Sequence, residues 1–432
     1  MAQRGRRLTL PEVCPMSPDV LPKSEWGDVC KALQERPVKS IRLRPAASMG
    51  QGCEVTLPFA LEPIPWFPGG MLLPEFRQPA ATLEFHAGLY FIQDAASMLA
   101  LRLLNLSGHE RVLDLCAAPG AKSSALLEMV GPGGEFLAAN EPVSGRLPPL
   151  IYNLARTGFP DFAVLQHDPE HLAGRLPEAF DAVLVDAPCS GQSLVSREKQ
   201  TSSAFSQKQV ELCAARQRRI LTSAAATVAP GGCLVYSTCT FASEENEEVA
   251  VQFLNEFPEF RVESLPELDA WKSDRAPGGY RLWPHRDRCA GGYAIKFRRK
   301  GQVGSESATS LGATISSRKW SDEQIGSIRD GRVEISGKQK YCWSARMPEI
   351  LRELAKAGSE VMYIPAKHWM PSHALALRRD NAWTPCDHLH VNDQQAREFL
   401  AGQPLGPGEA GWKVVCWNDH PLGWVRSNHL RS

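Results

Sequence analysis

The feature that most restricts this chain is a regular alternation of texture that begins at Arg111. Short β-rich runs are followed, several times over, by longer stretches of helical period. The runs are RVLDLC, EFLAAN, FAVLQHD, DAVLVDAP and CLVYSTC. The helical stretches are AKSSALLEMV, VSGRLPPLIYNLART, a segment over about 207–228, and EENEEVAVQFLNEF. Strands that are apolar along most of their length are covered on both faces, and parallel neighbours need helical crossovers. The alternation therefore predicts βαβ units and an α/β, Rossmann-like domain built on a mostly parallel sheet of seven strands. Pro148-Pro149 falls inside the second helical stretch and should kink that helix or delay its start.

The flanks differ from this centre. Residues 1–75 are Pro-rich, with a helix-like stretch over 26–34 and a strand-like one over 38–43, and they read as a small N-terminal α+β unit. The α/β domain occupies 76–300 and closes in a hairpin-like pair between Arg281 and Lys300, with Gly291-Gly292 near the turn. A Gly-, Ser- and Thr-rich linker follows over 301–318. Beyond it are expected a small α+β domain over 319–370, with the strand-like VEISG and EVMYIP, and a last unit over 371–432. Most of the 11 Trp lie in these two units. The plainest role for them is filling small cores.

A chain of 432 residues is too long for one compact core, which agrees with several units. Its formal net charge is zero. Any nucleic-acid contact must then come from local patches. Arg216-Gln217-Arg218-Arg219 and Arg298-Arg299-Lys300 are candidates, although solvated faces are the plainer reading of both. No signal-peptide pattern and no apolar run of bilayer length are found, so a cytoplasmic chain with no membrane partner is expected. The 12 Cys include no C-x-x-C pair, which argues against a zinc site or a disulfide framework. No metal is expected. Most thiols, Cys30, Cys213 and Cys233 among them, should be buried and inert.

The first β run passes into a helix through Asp114-Leu115-Cys116-Ala117-Ala118-Pro119-Gly120-Ala121-Lys122. A tight loop before a helix presents backbone N–H groups, and Gly120 permits close approach. A Walker A phosphate loop is excluded by spacing, because Cys116 and Ala121 stand where its glycines would be. The next strands end in Glu141, Asp168 and Asp186. Each alone reads as a solvated carboxylate. As a series they follow successive strands, and in an open α/β sheet such ends converge on one crevice. Glu141 suits ribose hydroxyls and Asp168 an adenine amino group. An adenosine ligand without a phosphate loop points to S-adenosylmethionine.

Two thiols stand at the same crevice. The fourth run ends Asp186-Ala-Pro-Cys189-Ser-Gly191 and the fifth Tyr236-Ser-Thr-Cys239-Thr. Beside a methyl donor, a thiolate has a specific use. Carbon 5 of a pyrimidine is a poor nucleophile until a thiolate adds at carbon 6. Asp186 is placed to hydrogen-bond the N3 edge of the base, and a second thiol could assist release. The chemistry does not say which cysteine attacks.

At these residues the chain resembles the RNA cytosine-5 methyltransferases of the NOL1/NOP2/Sun family. The 114–122 loop is similar to the family's motif I, with Ala121 where Gly is usual. Asp186-Ala-Pro-Cys189-Ser-Gly191 is similar to motif IV, and Ser237-Thr-Cys239-Thr to motif VI. Gly88-Leu-Tyr90-Phe-Ile-Gln93-Asp94 and Arg281-Leu-Trp-Pro-His285 resemble further family segments, and Arg44 replaces an Asn that many relatives carry. The resemblance implies a class I S-adenosylmethionine-dependent methyltransferase fold. It implies Cys239 as nucleophile, Cys189 as the thiol that aids release, Asp186 orienting the base, and Lys122 and Arg146 lining the site.

Pro371-Ser-His-Ala-Leu-Ala-Leu377 and Pro421-Leu-Gly-Trp424 resemble the tail of bacterial small-subunit ribosomal RNA methyltransferases of that family. This implies a PUA-like RNA-binding region and a cytidine of 16S rRNA, within the 30S subunit, as target. A monomer is the expectation, although nothing in the sequence fixes the oligomeric state. A few of the Trp would then stack on bases. Rival readings are a tRNA cytosine-5 methyltransferase, a noncatalytic ribosome-assembly factor and a DNA methylase. The DNA reading lacks the Glu-Asn-Val tripeptide those enzymes use at the base. If phosphate contacts carry RNA binding, affinity should fall steeply between low and physiological salt. A filter-binding titration that stayed flat over that range would contradict an RNA groove.

Overall fold

A computed structural model describes residues 20–45, 57–74, 78–302, 311, 318–380, 382–405 and 411–427. Its centre is a nine-stranded sheet. The strands are β1 (Val112–Asp114), β2 (Leu137–Asn140), β3 (Phe162–Leu165), β4 (Phe180–Asp186), β5 (Val228–Thr238), β6 (Phe260–Val262), β7 (Tyr280–Leu282), β8 (Gly292–Arg299) and β9 (Ala355–Ala357). Their order is β6-β8-β5-β4-β1-β2-β3-β9, with β7 paired to β8 off this path. The pairings among β1 to β5 are all parallel, and β8 lies antiparallel to β5.

The seven expected strands, β1 to β5 with the closing pair β7 and β8, are thus joined by two edges of three residues each, β6 and β9. Segments so short carry no readable period. β9 comes from a distant part of the chain and pairs with β3 across Ala355 and Leu165. Leu113, Leu137, Val164, Leu184 and Val235 in the central strands are wholly buried, as a sheet covered on both faces requires. The strand order reverses between β1 and β4, so a crevice opens beyond their C-terminal ends.

The helix after β2 is Leu147–Ala155, and Pro148-Pro149 fall in its first turn. The N–H groups there have no intrahelical acceptor, so proline is tolerated and the helix starts late rather than kinking. The long helix is Gln207–Thr227. The pair expected between Arg281 and Lys300 is β7 against β8, with Tyr280 opposite Ala294.

Two unit boundaries differ from expectation. The N-terminal sheet contains Glu62–Pro63, Gly70–Leu73, Lys39–Leu43 and also Tyr90–Ile92. Tyr90 packs with Ile41 and Leu73 in this sheet's own core, so the unit runs past position 75. In the C-terminal half, a six-stranded antiparallel sheet begins at Arg318–Asp322 and includes Trp383–Pro385. Ser327 pairs with Thr384, so that sheet extends well beyond residue 370. The final unit is a three-stranded sheet of His388–Val391, Gly411–Trp417 and His420–Ser427, with the helix Asp393–Leu400. Most of the expected 301–318 linker, and the chain after 427, lie outside the described residues. Trp343, Trp383 and Trp417 are core filler, whereas Trp412 and Trp424 are half-buried. Among the described residues no helix is long and apolar enough to cross a membrane.

The N-terminal unit is fastened to the catalytic sheet by a buried charge cluster. Arg42 pairs with Glu128 of the helix after β1, and Arg44 lies 3.4 Å from the same carboxylate. Arg44 also donates to the carbonyls of Gly88 at 2.6 Å, Thr157 at 2.5 Å and Arg156 at 3.0 Å. Burial alone would raise the Glu128 carboxyl, but the two guanidiniums outweigh it and hold it below the usual range. Stability from a carboxyl lowered in this way is present above its unfolded pKa and disappears as pH falls through its folded value. Glu128→Ala leaves buried cations without their counter-charge and should cost about 3–5 kcal/mol. The urea midpoint at neutral pH should drop accordingly, and its gap from the wild type should narrow in acid.

Candidate active site

The geometry of the site starts from the parallel register of β4 and β5, in which Asp186 lies opposite Ser237. Both strands end at the crevice, and the chain leaves each one through a cysteine. The sulfurs of Cys189 and Cys239 are 2.8 Å apart, and both thiols are free and partly exposed. The Cys239 N–H points at the Cys189 sulfur at 3.3 Å. Sharing a hydrogen bond with Cys239, and then burial, push the Cys189 thiol well above its ordinary pKa.

A buried polar frame holds the two strand ends together. The Glu245 side chain accepts from the Ser190 N–H and the Gln217 amide, both at 2.9 Å. Gln217 also donates to the Pro188 carbonyl at 3.1 Å. The Ser190 and Thr240 hydroxyls meet at 2.9 Å, and the Ser193 N–H donates to the Cys239 carbonyl at 3.2 Å. Glu245 is fully buried, and burial raises its carboxyl. Sequence reasoning missed this frame. Glu245 sits in an acidic run that reads as a solvated helix start, and Gln217 lies within a basic run.

Lys122 crosses the crevice floor to Asp186, with Nζ 2.6 Å from the carboxylate. The Ser237 hydroxyl donates to the other Asp186 oxygen at 2.8 Å. Burial would lower the Lys122 pKa, yet Asp186 above all, with smaller help from Cys239 and Asp114, raises it. The ammonium is therefore firmly charged beside the thiols. Asp114, at the end of β1, accepts from the Ser123 hydroxyl at 2.7 Å, and burial raises its carboxyl to about 7.

The loop between β1 and the helix Ala121–Val130 forms one wall. Gly120 has φ +104°, and a Cβ there would approach Asn153 to 3.1 Å and Leu150 to 3.2 Å. The first turn of the helix presents N–H groups without intrahelical acceptors. Cys116, Ala117, Ala118, Pro119, Ala121, Lys122 and Arg146 join Asp186, Cys189 and Cys239 around a cavity of about 580 Å³. Burial pushes the Cys116 thiol well up.

Besides Gly120, which has no side chain to present, two predicted residues lie off the cavity wall. Glu141 is buried, accepting from the Val143 N–H at 2.9 Å and pairing with Arg146 at 2.9 Å. Arg146 in turn donates to the Ala118 carbonyl at 2.6 Å. Asp168 is exposed at the start of the helix Pro169–Arg175. Neither belongs to the cavity wall, although both follow the strand ends expected of them. Elsewhere, one of the two basic runs is largely spent on internal pairs. Arg298 binds Glu263, Arg299 binds Glu178 and Lys300 donates to the Pro258 carbonyl.

The site fits S-adenosylmethionine by size and by charge. The cavity lies within the usual range for such ligands. Its acids, Asp114 and Asp186, favour a sulfonium and an ammonium over a phosphate, while the helix N–H groups suit a carboxylate. Fold and site together define a class I S-adenosylmethionine-dependent methyltransferase.

Comparison with known proteins narrows this class. Residues 101–298 match the family described as 16S rRNA methyltransferase RsmB/F. Residues 16–95 match the N-terminal domain of 16S rRNA methyltransferase RsmF, and 386–431 the methyltransferase RsmF PUA domain. Relatives named ribosomal RNA small subunit methyltransferase F include those of Escherichia coli O7:K1, 33% identical over 94% of this chain and 91% of the relative, and Erwinia tasmaniensis, 30% identical over 84% and 82%. Among solved structures, a methyltransferase homolog from Pyrococcus horikoshii is 25% identical, with TM-score 0.55 over 64% of this chain and 90% of that one. NSun6 from Pyrococcus horikoshii, 18% identical with TM-score 0.53, shares the fold over 66% of this chain and 96% of its own. The chain belongs to the RsmB/F family of 16S rRNA methyltransferases.

The 120 position gives a direct check on the binding loop. Gly120→Val combines positive-φ strain with a crowded Cβ, so affinity for S-adenosylmethionine should fall roughly tenfold or more. Calorimetric titration of the variant against the wild type measures it. Unchanged binding would place the cofactor elsewhere.

Proposed function

We propose that the protein methylates carbon 5 of a cytidine in 16S rRNA through a transient bond between Cys239 and carbon 6 of the base. The observation that carries this reading is the meeting of two free thiols, 2.8 Å apart, beside the Lys122–Asp186 pair in one cavity. Packed apolar groups are what an inert pair of cysteines would have around it. Here a charged lysine and an open space adjoin them.

The roles follow from the chemistry of each group. Cys239, beside the Lys122 ammonium, adds to carbon 6 through its sulfur as the thiolate. The addition pushes negative charge toward N3 and O2. Asp186, held by Lys122 and Ser237, orients the N3 edge, and the Lys122 ammonium offsets the new charge. S-adenosylmethionine supplies the electrophilic methyl group that carbon 5 accepts. Afterwards the carbon 5 proton passes to a water molecule, the electron pair it leaves re-forms the 5,6 double bond, and the carbon 6–sulfur bond breaks with its electrons returning to Cys239 as thiolate. Cys189, kept as a thiol by its raised pKa, donates its S–H to the departing Cys239 thiolate.

Cofactor binding is assigned to Cys116, Ala117, Ala118, Pro119, Gly120, Ala121 and Lys122, with Arg146 over the rim. Glu141 would take the ribose hydroxyls once Arg146 withdraws from it. Asp168 has the longer reach, toward the adenine. A thiol can attack carbon 6 only of an unstacked base, so the target is a flipped or single-stranded cytidine. The names of the relatives point to the small ribosomal subunit. We assign the 30S particle as substrate, a monomer as the working form, no metal, and the cytoplasm as the place of action.

Methyl transfer from labelled donor to 30S subunits, with bulk tRNA and DNA as comparison substrates, tests the assignment. Label should enter 16S rRNA alone. Cys239→Ala should lose at least about a thousandfold in rate, as removal of a covalent nucleophile does. Cys189→Ala should form the adduct but release it poorly, leaving a protein–RNA species stable in a denaturing gel. The reverse pattern, an active Cys239→Ala and a dead Cys189→Ala, would exchange the two roles.

A further inference from the structure

We infer that the protein holds a second nucleotide subsite, a cavity between the N-terminal unit and the catalytic body that takes the nucleotide next to the target cytidine in a single strand of RNA. The inference rests on the reading that the 580 Å³ cavity receives the flipped cytidine.

Two cavities meet beside the crevice. The second encloses about 1000 Å³ and has Arg36, Val38, Leu73 and Gln78 of the N-terminal unit among its walls. Ile92, Gln93, Asp94 and Arg197 are walls of both cavities. The two spaces are therefore neighbours, parted by the ion pair of Arg197 with Asp94. A strand that places one base in each cavity must carry its linking phosphodiester past that pair.

Arg197 is suited to receive that phosphodiester. Its pair with Asp94 uses Nη2, while Nε is buried with no hydrogen-bond partner among the described residues. Asp94 has a second attachment, accepting from the Ala96 N–H at 2.9 Å. A buried donor left unused disfavours the empty arrangement. The side chain as a whole is 30% exposed at the bottleneck, so a small rotation of the guanidinium would turn this donor to a phosphate there, and guanidinium forks bind phosphate in two-pronged fashion. A second cation, Arg36, stands at the mouth, where it pairs with Glu198 at 3.1 Å in an exposed and easily exchanged contact.

The walls match a base more than a peptide. Pro37, Pro74 and Pro79 line the space with Val38 and Leu73, giving rigid apolar surfaces for a flat ring. The exposed Gln78 amide is free to meet a base edge at the rim. A wall of this kind favours the stacked contact common in single-strand recognition, with little dependence on base identity.

Two measurements decide the matter. The photo-crosslinking residue p-benzoylphenylalanine placed at position 78 should, in the complex with 30S subunits, react with the nucleotide adjacent to the methylated cytidine. Mapping by primer extension reads the position. In a separate variant, Val38→Trp should fill the cavity and raise KM for 30S subunits about tenfold, the loss expected for one stacked base, with the effect falling on KM rather than kcat. A crosslink to a distant nucleotide or to a ribosomal protein, no crosslink at all, or an unchanged KM in Val38→Trp would each overturn the subsite. Wild-type transfer to 30S subunits is the separate control: its absence removes the cytidine reading itself, whatever the crosslink shows.

Discussion

The arrangement depends on one constraint, the parallel pairing of β4 with β5 that sets Asp186 opposite Ser237. Two chain segments leave the sheet there side by side, so two cysteines fifty positions apart in sequence end in contact. The register alone would not hold them so close, because the chain beyond a strand end is free to diverge. Glu245 supplies the remaining restraint. Its buried carboxyl binds the Ser190 N–H from one segment, while Ser190 reaches Thr240 on the other. A buried acid with a raised pKa is an expensive brace, and it is consistent with a site whose geometry must be held to within a few tenths of an ångström.

Charge in the crevice is organised around Lys122. It sits one residue inside the helix that follows the 114–120 loop, so the segment proposed to bind the donor also delivers a cation beside the thiols. Asp186 keeps that cation protonated despite burial, and Ser237 fixes Asp186. The 114–122 loop, the Asp186 carboxylate and the strand end that carries Cys239 are thereby linked through two contacts, Lys122 to Asp186 and Ser237 to Asp186. Displacing any one of the three would disturb the others.

Much of this is legible in the sequence. The alternation from Arg111 onward implies a parallel sheet, a parallel sheet implies a crevice at its strand ends, and the residues at those ends are Asp114, Asp186, Cys189 and Cys239. What could not be read has physical causes. β9 is three residues long and comes from another unit, so neither period nor proximity announces it. Tyr90–Ile92 joins the N-terminal sheet by tertiary pairing, which moves that unit past residue 75. Glu245 and Gln217 resemble surface residues because their burial is decided by the packing of the helix Gln207–Thr227 against the strand ends. The reach of Arg146 over Glu141 is a choice of rotamer, which no linear pattern encodes.

A protein of zero formal charge that acts on RNA poses its own problem. Long-range attraction to a polyanion is weak when the charges cancel, and several of the arginines are already engaged. Arg42 and Arg44 are buried around Glu128, Arg281 binds Glu247, and Arg298 and Arg299 face acids. Recognition must then depend more on fitted contacts than on a diffuse field. Cavities between units meet that need, because their walls are brought together only by the fold. The three matched domains place such junctions around the catalytic sheet, and the Arg42–Glu128 cluster fixes one of them beside the crevice. On this view the internal pairing of arginines is part of how a neutral enzyme selects its RNA. It suppresses loose binding to any phosphate chain and leaves discrimination to the few positions where a nucleotide can be enclosed.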